Sequence, residues 1–220
     1  MKNILFDLAE MTKKHPNKTA FIFLSKDPKS TEVNQISFKE LDEKSSRAAT
    51  LLSREGFHDG IVTIVLAKPS IDFVILLYGM LKTGAVPLLL PSLNIRTKSG
   101  REELRKILKR ANPRGIIGNK FSIFVSQFLF LKKKPEKKLI FSNLKRFYSN
   151  DSNPKSFAIN SDMDWTDSAA FVKYTTGTTG PAKGVIYTHG MLHSHLQTLR
   201  SEGIDGQDVF YGRGGTPVSY

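Results

Sequence analysis

Apolar residues follow two kinds of spacing in turn along the chain, which predicts alternating helices and strands. Helical spacing predicts helices over residues 3–14, 37–56, 73–83, 101–110 and 190–202, and a helix or amphipathic segment over 121–131. Short apolar runs, several rich in β-branched residues, predict strands over residues 18–25, 61–66, 85–90, 115–118, 139–141, 169–174 and 185–188.

Polar residues and glycines mark the ends of several elements. Ser37 and Glu40 have the S-x-x-E spacing of a helix capping box, and Gly56 fits the residue that stops the same helix. Residues 147–154 are polar and rich in Asn and Ser, which predicts a connecting loop. Because strands alternate with helices of ten or more residues, we predict an α/β fold whose mostly parallel sheet is flanked by helices on both faces.

The net positive charge is concentrated in one segment. The chain has 33 Lys and Arg against 20 Asp and Glu, and residues 96–146 carry sixteen of the basic residues but only three of the acidic ones. Such a segment is either a solvated lysine-rich face, which we favour, or a surface for an anionic membrane. No nucleic-acid partner is expected, because the sequence has no zinc-finger or ribonucleoprotein motif and its phenylalanines fit a core.

Composition and the first residues indicate the cellular setting. The chain has no cysteine, which excludes a disulfide scaffold and thiolate metal ligands and is compatible with a reducing cytoplasm. Asp7 and Glu10 interrupt the first apolar run, so no signal peptide is expected. The longest apolar stretches, residues 73–80 and 121–131, are far shorter than a bilayer-spanning helix. We therefore expect a cytoplasmic protein.

A loop rich in threonine and glycine, predicted over residues 177–184, follows the strand predicted at residues 169–174. Residues 174–185 read Y-T-T-G-T-T-G-P-A-K-G-V. Glycines let backbone N–H groups surround an anion, threonine hydroxyls add donors and Mg²⁺ ligands, and Lys183 adds a positive charge. The loop is not a Walker A motif, because Lys183 precedes glycine instead of Ser or Thr. Its residue types predict a nucleotide-triphosphate site, with a flexible hairpin as the structural alternative.

These residues resemble the signature of the adenylate-forming, AMP-binding superfamily, [YF]-T-S-G-[ST]-T-G-x-P-K-G-V. Thr176 stands where that signature has Ser, and Pro181-Ala182 replaces its x-Pro. Residues 36–52 and 60–87 resemble two further family segments in the same order. Residues 185–191 resemble the branch that contains fatty acyl-CoA ligases and olefin β-lactone synthetases. The resemblance implies the N-terminal part of the adenylate-forming fold.

The resemblance also implies a reaction. A carboxylic acid, expected to be a fatty acid, would attack the α-phosphate of ATP to give an acyl-adenylate, and a thiol such as CoA would then take the acyl group. In the lactone-forming branch the substrate's own β-hydroxyl would act instead. Mg²⁺ would bridge the phosphates without a dedicated protein metal site. The residues that would surround the phosphates are Thr175, Thr176, Gly177, Thr178, Thr179 and Gly180, with Lys183 anchoring the loop.

The resemblance stops near residue 210. The family's adenine and ribose motifs and its catalytic lysine have no counterpart in this sequence, so no catalytic residue is assigned. We expect residues 1–210 to form a partial N-terminal AMP-binding domain and residues 211–220 to be a divergent tail. Our hypothesis is a truncated and inactive product. The alternative is a non-catalytic remnant that binds nucleotide weakly or associates with anionic membrane through residues 96–146.

Three histidines after the loop are candidates for other chemistry. His189 and His193 have the i, i+4 spacing of a metal pair, but Gly190 occupies the position where a hydrolytic zinc motif has Glu. A helix-surface or core role is therefore favoured over metal binding for His189, His193 and His195. His189 also lies close enough in sequence to the loop that we consider an approach to substrate.

Overall fold

The computed structural model describes residues 3–24, 33–91, 96–129, 135–150, 165–175 and 182–202. The helices in these ranges are α1 Ile4–Lys14, α2 Phe38–Arg54, α3 Ile71–Thr83, α4 Lys98–Ala111, α5 Lys120–Leu129, α6 Phe141–Asn150 and α7 His189–Ser201. The strands are β1 Thr19–Leu24, β2 Val33–Ser37, β3 Val62–Leu66, β4 Val86–Leu89, β5 Gly115–Gly118, β6 Lys137–Ile140, β7 Ala169–Thr175 and β8 Lys183–Thr188.

Six of these strands form one sheet in the order β6-β5-β3-β4-β7-β8, and β1 and β2 form a separate antiparallel pair. Within the larger sheet every neighbouring pair is parallel except β7 and β8, which are antiparallel. Strand β4 joins β7 through the register Leu88 with Val172. The predicted α/β fold with a mostly parallel sheet is confirmed.

Alternating side chains on the central strands separate two hydrophobic cores. Val65 of β3 and Ile117 of β5 belong to one core, and Ile64 and Ile116 belong to the other. Helices α2, α3 and α6 pack into the first core, and we call them the α2–α3 layer. Helices α4 and α5 pack into the second core, and we call them the α4–α5 layer. The sheet is therefore covered on both faces.

Helix α2 begins and ends as its sequence predicts. The side-chain oxygen of Ser37 accepts a hydrogen bond from the backbone N–H of Glu40, and the Glu40 carboxylate accepts one from the backbone N–H of Ser37. Gly56, directly after the helix, has a φ of 81°, which a residue with a side chain rarely adopts. The capping box and the glycine stop are both confirmed.

Helices α2 and α3 pack closely because α3 has glycine at the contact. A Cβ atom at Gly79 would lie 2.9 Å from the Cβ of Ala48. One turn further along, the buried Lys82 ammonium donates to the Asp42 carbonyl at 2.9 Å, to Asp42 Oδ1 at 2.6 Å and to Ser46 Oγ at 2.8 Å. Burial lowers the pKa of Lys82, and Asp42 partly opposes that shift. All three donors of a buried cation are thus satisfied within the layer.

Two elements differ from the sequence prediction. The loop predicted over residues 147–154 is wrong for 147–150, which belong to helix α6. Leu144 and Tyr148 lie four residues apart and are both buried, and the Tyr148 hydroxyl donates to Asp72 Oδ1 at 2.6 Å. Long-range contacts to α2 and α3 stabilise a helix whose exposed side is polar. Strand β2 was not predicted, since its five residues include only two apolar ones, Val33 and Ile36, which are three positions apart and show no strand-like alternation.

No helix in the described ranges has the length and apolar character needed to cross a membrane.

Candidate functional site

The threonine- and glycine-rich segment connects the two strands of the β7–β8 hairpin. Thr175, the last residue of β7, pairs with Lys183, the first residue of β8, and Tyr174 pairs with Gly184. The loop predicted to reach Gly184 therefore ends earlier, and the prediction is wrong for residues 183 and 184, which belong to the strand. Both Thr175 and Lys183 are exposed, so their side chains are accessible at the two ends of the connecting segment.

This hairpin ends at the carboxyl edge of the parallel strands. Because β7 runs parallel to β4, Thr175 lies beyond Leu89, where β4 ends. The neighbouring strands β3 and β4 are followed by helices on opposite faces of the sheet, α3 in the first core and α4 in the second. Ligands of open α/β sheets bind at the carboxyl edge, near the point where successive connections leave to opposite faces.

The seven residues predicted to bind the nucleotide divide into two sets. The structure places Thr175 and Lys183 opposite each other, at the end of the hairpin where the connecting segment begins and ends. The other five lie outside the described residues, and their roles stay predictions: Thr176, Gly177, Thr178, Thr179 and Gly180. The divergent tail predicted at residues 211–220 also lies outside the described residues.

Glu103 of helix α4 fixes the end of the loop, and sequence reasoning did not identify it. Its Oε1 accepts a hydrogen bond of 2.6 Å from the backbone N–H of Ala182, the residue before Lys183. Its Oε2 lies 3.8 Å from Lys106 Nζ. The sequence signal that could have identified Glu103 is its place in the helical period. Glu103 precedes the buried Ile107 by one helical turn, and so it lies toward the sheet. The loop is thereby attached to the α4–α5 layer.

Tyr174 and Gly184 explain why the signature needs a glycine after its lysine. The Tyr174 side chain is buried in the second core, and its ring lies across from Gly184. A Cβ atom at Gly184 would lie 2.8 Å from the Tyr174 ring carbon Cζ. The glycine thus lets an aromatic ring pack directly beneath the hairpin that carries Thr175 and Lys183.

His189 has a core role, and the idea that it approaches substrate at the loop is wrong. It is 1% exposed, and Thr188 before it pairs with Ala169, at the end of the hairpin opposite to Thr175. Six residues of strand separate those ends, about 20 Å. Its Nδ1 donates to Asn3 Oδ1 at 3.0 Å, and Trp165 packs edge-on at 5.3 Å between ring centroids. Burial lowers the pKa of His189 to about 4.

His193 faces a different partner one turn later on α7. Its Nδ1 lies 2.8 Å from Oδ2 of the buried Asp7, and Arg200 of α7 lies 3.7 Å from the other carboxylate oxygen. These contacts join α7 to α1. Among the residues that the structure describes, no three His, Cys, Asp or Glu side chains cluster as a metal site.

Comparison with known proteins agrees with the fold and with the sequence resemblance. A family model described as AMP-binding enzyme matches residues 8–213. The chain is 27% identical over 175 residues to an olefin beta-lactone synthetase of Stenotrophomonas maltophilia, covering 76% of this chain and 30% of that protein. It is 28% identical over 192 residues to a medium-chain-fatty-acid–[acyl-carrier-protein] ligase, JamA, of Moorena producens, covering 83% of this chain and 30% of that ligase.

Solved structures show the same fold. A long-chain-fatty-acid-CoA ligase from Archaeoglobus fulgidus superposes with a TM-score of 0.71 at 22% identity, covering 92% of this chain and 40% of that one. The N-terminal domain of FACL13 from Mycobacterium tuberculosis superposes with a TM-score of 0.70 at 24% identity, covering 91% and 48%. The chain spans about 30% of the length of those two curated relatives. With the family model matching most of its residues, the chain belongs to the AMP-binding enzyme family.

Proposed function

We propose that this chain supplies the triphosphate-binding part of an enzyme that activates a carboxylic acid with ATP. The observation that carries the proposal is the β7–β8 hairpin, which holds Thr175 opposite Lys183 at the carboxyl edge of the sheet. Between them the sequence supplies three threonines and two glycines. Backbone N–H groups, hydroxyls and one ammonium are the donors that a polyphosphate requires.

Each residue type has a distinct part in this proposal. The β- and γ-phosphates are held by threonine hydroxyls and by backbone N–H groups of glycine. The threonines are Thr175, Thr176, Thr178 and Thr179, and the glycines are Gly177 and Gly180. Lys183 neutralises part of their charge. Mg²⁺ prefers oxygen ligands, and the exposed Thr175 hydroxyl is one such ligand. Bound metal supplies further charge neutralisation as pyrophosphate leaves, in a reaction whose rate depends on positioning and electrostatics.

We assign a fatty acid as the carboxylate and a thiol such as CoA as the acceptor. Support comes from relatives whose names give a medium-chain fatty acid with an acyl-carrier protein, and a long-chain fatty acid with CoA. The carboxylate oxygen attacks the α-phosphate of ATP and pyrophosphate leaves, which gives an acyl-adenylate. The thiol then attacks the acyl carbon of this intermediate and AMP leaves. We propose that the 220 residues alone bind nucleotide without completing this turnover, because the chain spans about 30% of the length of these curated relatives.

Calorimetric titration of the chain with MgATP tests the nucleotide site. We expect Lys183→Ala to raise the Kd for ATP about tenfold through loss of one charge-assisted contact. The matched control is Lys13→Ala, which removes an exposed lysine on α1, on the other face of the sheet. No measurable ATP binding by the parent, or an equal loss in the control, would contradict the proposal.

A pyrophosphate-release assay separates an enzyme from a nucleotide-binding remnant. The chain is incubated with MgATP and fatty acids of graded length, and pyrophosphate is measured. We expect the 220 residues to bind MgATP but not to release pyrophosphate when a fatty acid is added. Release that depends on a fatty acid would support the full reaction and contradict the binding-only assignment of this chain.

A further inference from the structure

We propose that the outer side of the α4–α5 layer docks on an anionic lipid bilayer. The proposal does not depend on the nucleotide site, because it concerns the helix surfaces that face away from the sheet. The exposed residues that form this surface, here called the basic–aromatic surface, are Lys98, Arg105, Lys106, Lys109, Arg110, Lys120, Phe121 and Phe124, together with the acidic Glu102.

Helix α4 contributes the charge. Its fourteen residues include six basic and two acidic side chains. Leu104 and Ile107 are buried against the sheet, so the helical period places Lys98, Arg105 and Lys109 along the opposite, outward side. Lys106 is close to Glu103, and the exposed Glu102 lies on the outward side between Lys98 and Arg105, so basic side chains outnumber acidic ones along this side of the helix. The helix therefore presents a positively charged ridge about 20 Å long to solvent.

Helix α5 contributes aromatic side chains. Phe121 is 75% exposed and Phe124 is 65% exposed, the two highest values among the large hydrophobic residues that the structure describes as exposed. They lie three residues apart and so share one side of the helix. Ile123 between them is 8% exposed and packs into the second core. The burial of Ile123 fixes the outward direction of the two phenylalanines.

The two helices face the same direction. Leu108 of α4 and Ile123 of α5 belong to the same core on the same face of the sheet. The outward sides of both helices therefore point away from the same face of the sheet, with lysines and arginines on α4 and phenylalanines beside Lys120 on α5. Aromatic side chains enter the interface between headgroups and acyl chains, while basic side chains attract anionic headgroups.

Charge complementarity and shape favour a bilayer over other anionic partners. Basic side chains alone would fit any polyanion. Proteins that bind single strands place aromatic rings along a groove that follows the backbone, whereas Phe121 and Phe124 lie on the convex side of a helix. An anionic bilayer offers negatively charged headgroups above apolar acyl chains, and so it matches a surface that combines basic and aromatic side chains.

Vesicle co-sedimentation of the 220-residue chain tests the proposal. The probes are vesicles of phosphatidylcholine alone and of phosphatidylcholine with phosphatidylserine. We expect binding only to the anionic vesicles, and loss of that binding at high salt. Lys98→Gln with Lys109→Gln should weaken it roughly 25-fold, at about fivefold for each charge removed. The control, Lys13→Gln with Lys39→Gln, removes the same charge from exposed positions on α1 and α2.

Fluorescence of Phe121→Trp tests the aromatic contact separately. The native Trp165 is buried and reports little of the surface. We expect the emission of the substituted chain to shift to the blue with anionic vesicles and to be quenched by brominated acyl chains, with no such change in the parent. Circular dichroism checks that each variant retains its fold.

Four results would overturn the proposal. They are absence of binding to anionic vesicles, an equal loss of binding in the control pair, an unchanged spectrum of Phe121→Trp, and tighter binding to a single-stranded oligonucleotide than to vesicles. The last result would assign the surface to nucleic acid.

Discussion

The two helical layers on the sheet differ in where an inward polar side chain finds its hydrogen-bond partners. In the α2–α3 layer the buried cation Lys82 has all three of its acceptors on the adjacent helix. In the α4–α5 layer the inward carboxylate of Glu103 accepts instead from Ala182, in the segment that leads into β8. The first layer satisfies its buried cation internally, and the second uses a carboxylate to hold the end of the loop.

Because of this difference, we expect substitutions in the two layers to affect different properties of the protein. Substitutions in the α2–α3 layer should change the free energy of unfolding and leave ligand contacts alone. Substitutions in the α4–α5 layer should act more on the nucleotide loop or on the outer surface.

The same truncation in each layer gives the largest contrast. Leu76 is 0% exposed in the first core, and Leu104 is 8% exposed in the second. We expect Leu76→Ala to lower the free energy of unfolding by about 4 kcal/mol and Leu104→Ala by about 2 kcal/mol, because less apolar surface is lost at the more exposed site. Urea unfolding followed by circular dichroism measures both. Equal losses would mean that the two cores are equally well packed.

His189 tests whether the buried contact between α7 and the N-terminal end of α1 makes stability depend on pH. Its pKa is lowered to about 4, so the folded state keeps the imidazole neutral while the unfolded chain binds a proton near pH 6.5. The free energy of unfolding should therefore fall as pH drops from about 6.5 to 4, by about 3 kcal/mol at most. His189→Gln, which keeps an amide donor, should remove this part of the pH dependence.

The control for that experiment is His195→Gln on the same helix, since His195 is exposed. We expect its unfolding curve to follow the parent at every pH. If His189→Gln and the parent lose stability in parallel between pH 6.5 and 4, the buried histidine does not carry the effect.

Substitution of Lys82 tests how much the hydrogen bonds of this buried cation contribute to stability in the α2–α3 layer. Lys82→Met keeps most of the volume but removes the partner of the Asp42 carboxylate, which retains partial access to water. We expect a loss of about 1–2 kcal/mol, below the range for breaking a fully buried pair. Lys44→Met, which removes a half-exposed ion pair with Glu40, should cost under about 0.5 kcal/mol. Thermal unfolding of both variants compares them, and similar losses would argue against a special role for Lys82.

Glu103 should give the smallest effect on stability and a clear effect on the proposed ligand. We expect Glu103→Ala to raise the Kd for MgATP about fivefold, because the end of the loop loses its hydrogen bond. Glu103→Gln keeps an acceptor for the Ala182 N–H and should restore most of the affinity. The neighbouring exposed Glu102→Gln is the matched control. A role limited to local packing would leave the Kd unchanged in all three.

The sequence predicted the parts of the fold whose signals are local. The alternation of apolar runs and helical spacing located most elements, and the capping box at Ser37 and the glycine at Gly56 fixed the ends of α2. Helix α6 was missed because its burial depends on contacts with α2 and α3, such as the hydrogen bond from Tyr148 to Asp72, that no local pattern reveals.

The candidate site shows the same division. Thr175 and Lys183 were identified from a contiguous motif, and the hairpin places them opposite each other. Glu103 lies 79 residues from Ala182 in the chain, and its role depends on how α4 packs over the sheet. The position of His189 was misjudged because closeness in sequence to the loop is lost along an antiparallel strand, which carries the chain back to the opposite edge.

The pairing of β4 with β7 has a consequence for the order of folding. Leu88 and Val172 meet across roughly eighty residues of intervening chain, whereas the β7–β8 hairpin closes locally. Long-range pairing carries a larger entropic cost and forms slowly. The hairpin can therefore form early on its own, but it reaches its place at the carboxyl edge only after β4 has paired with β7. Nucleotide affinity would then be gained late in folding and would report completion of the sheet.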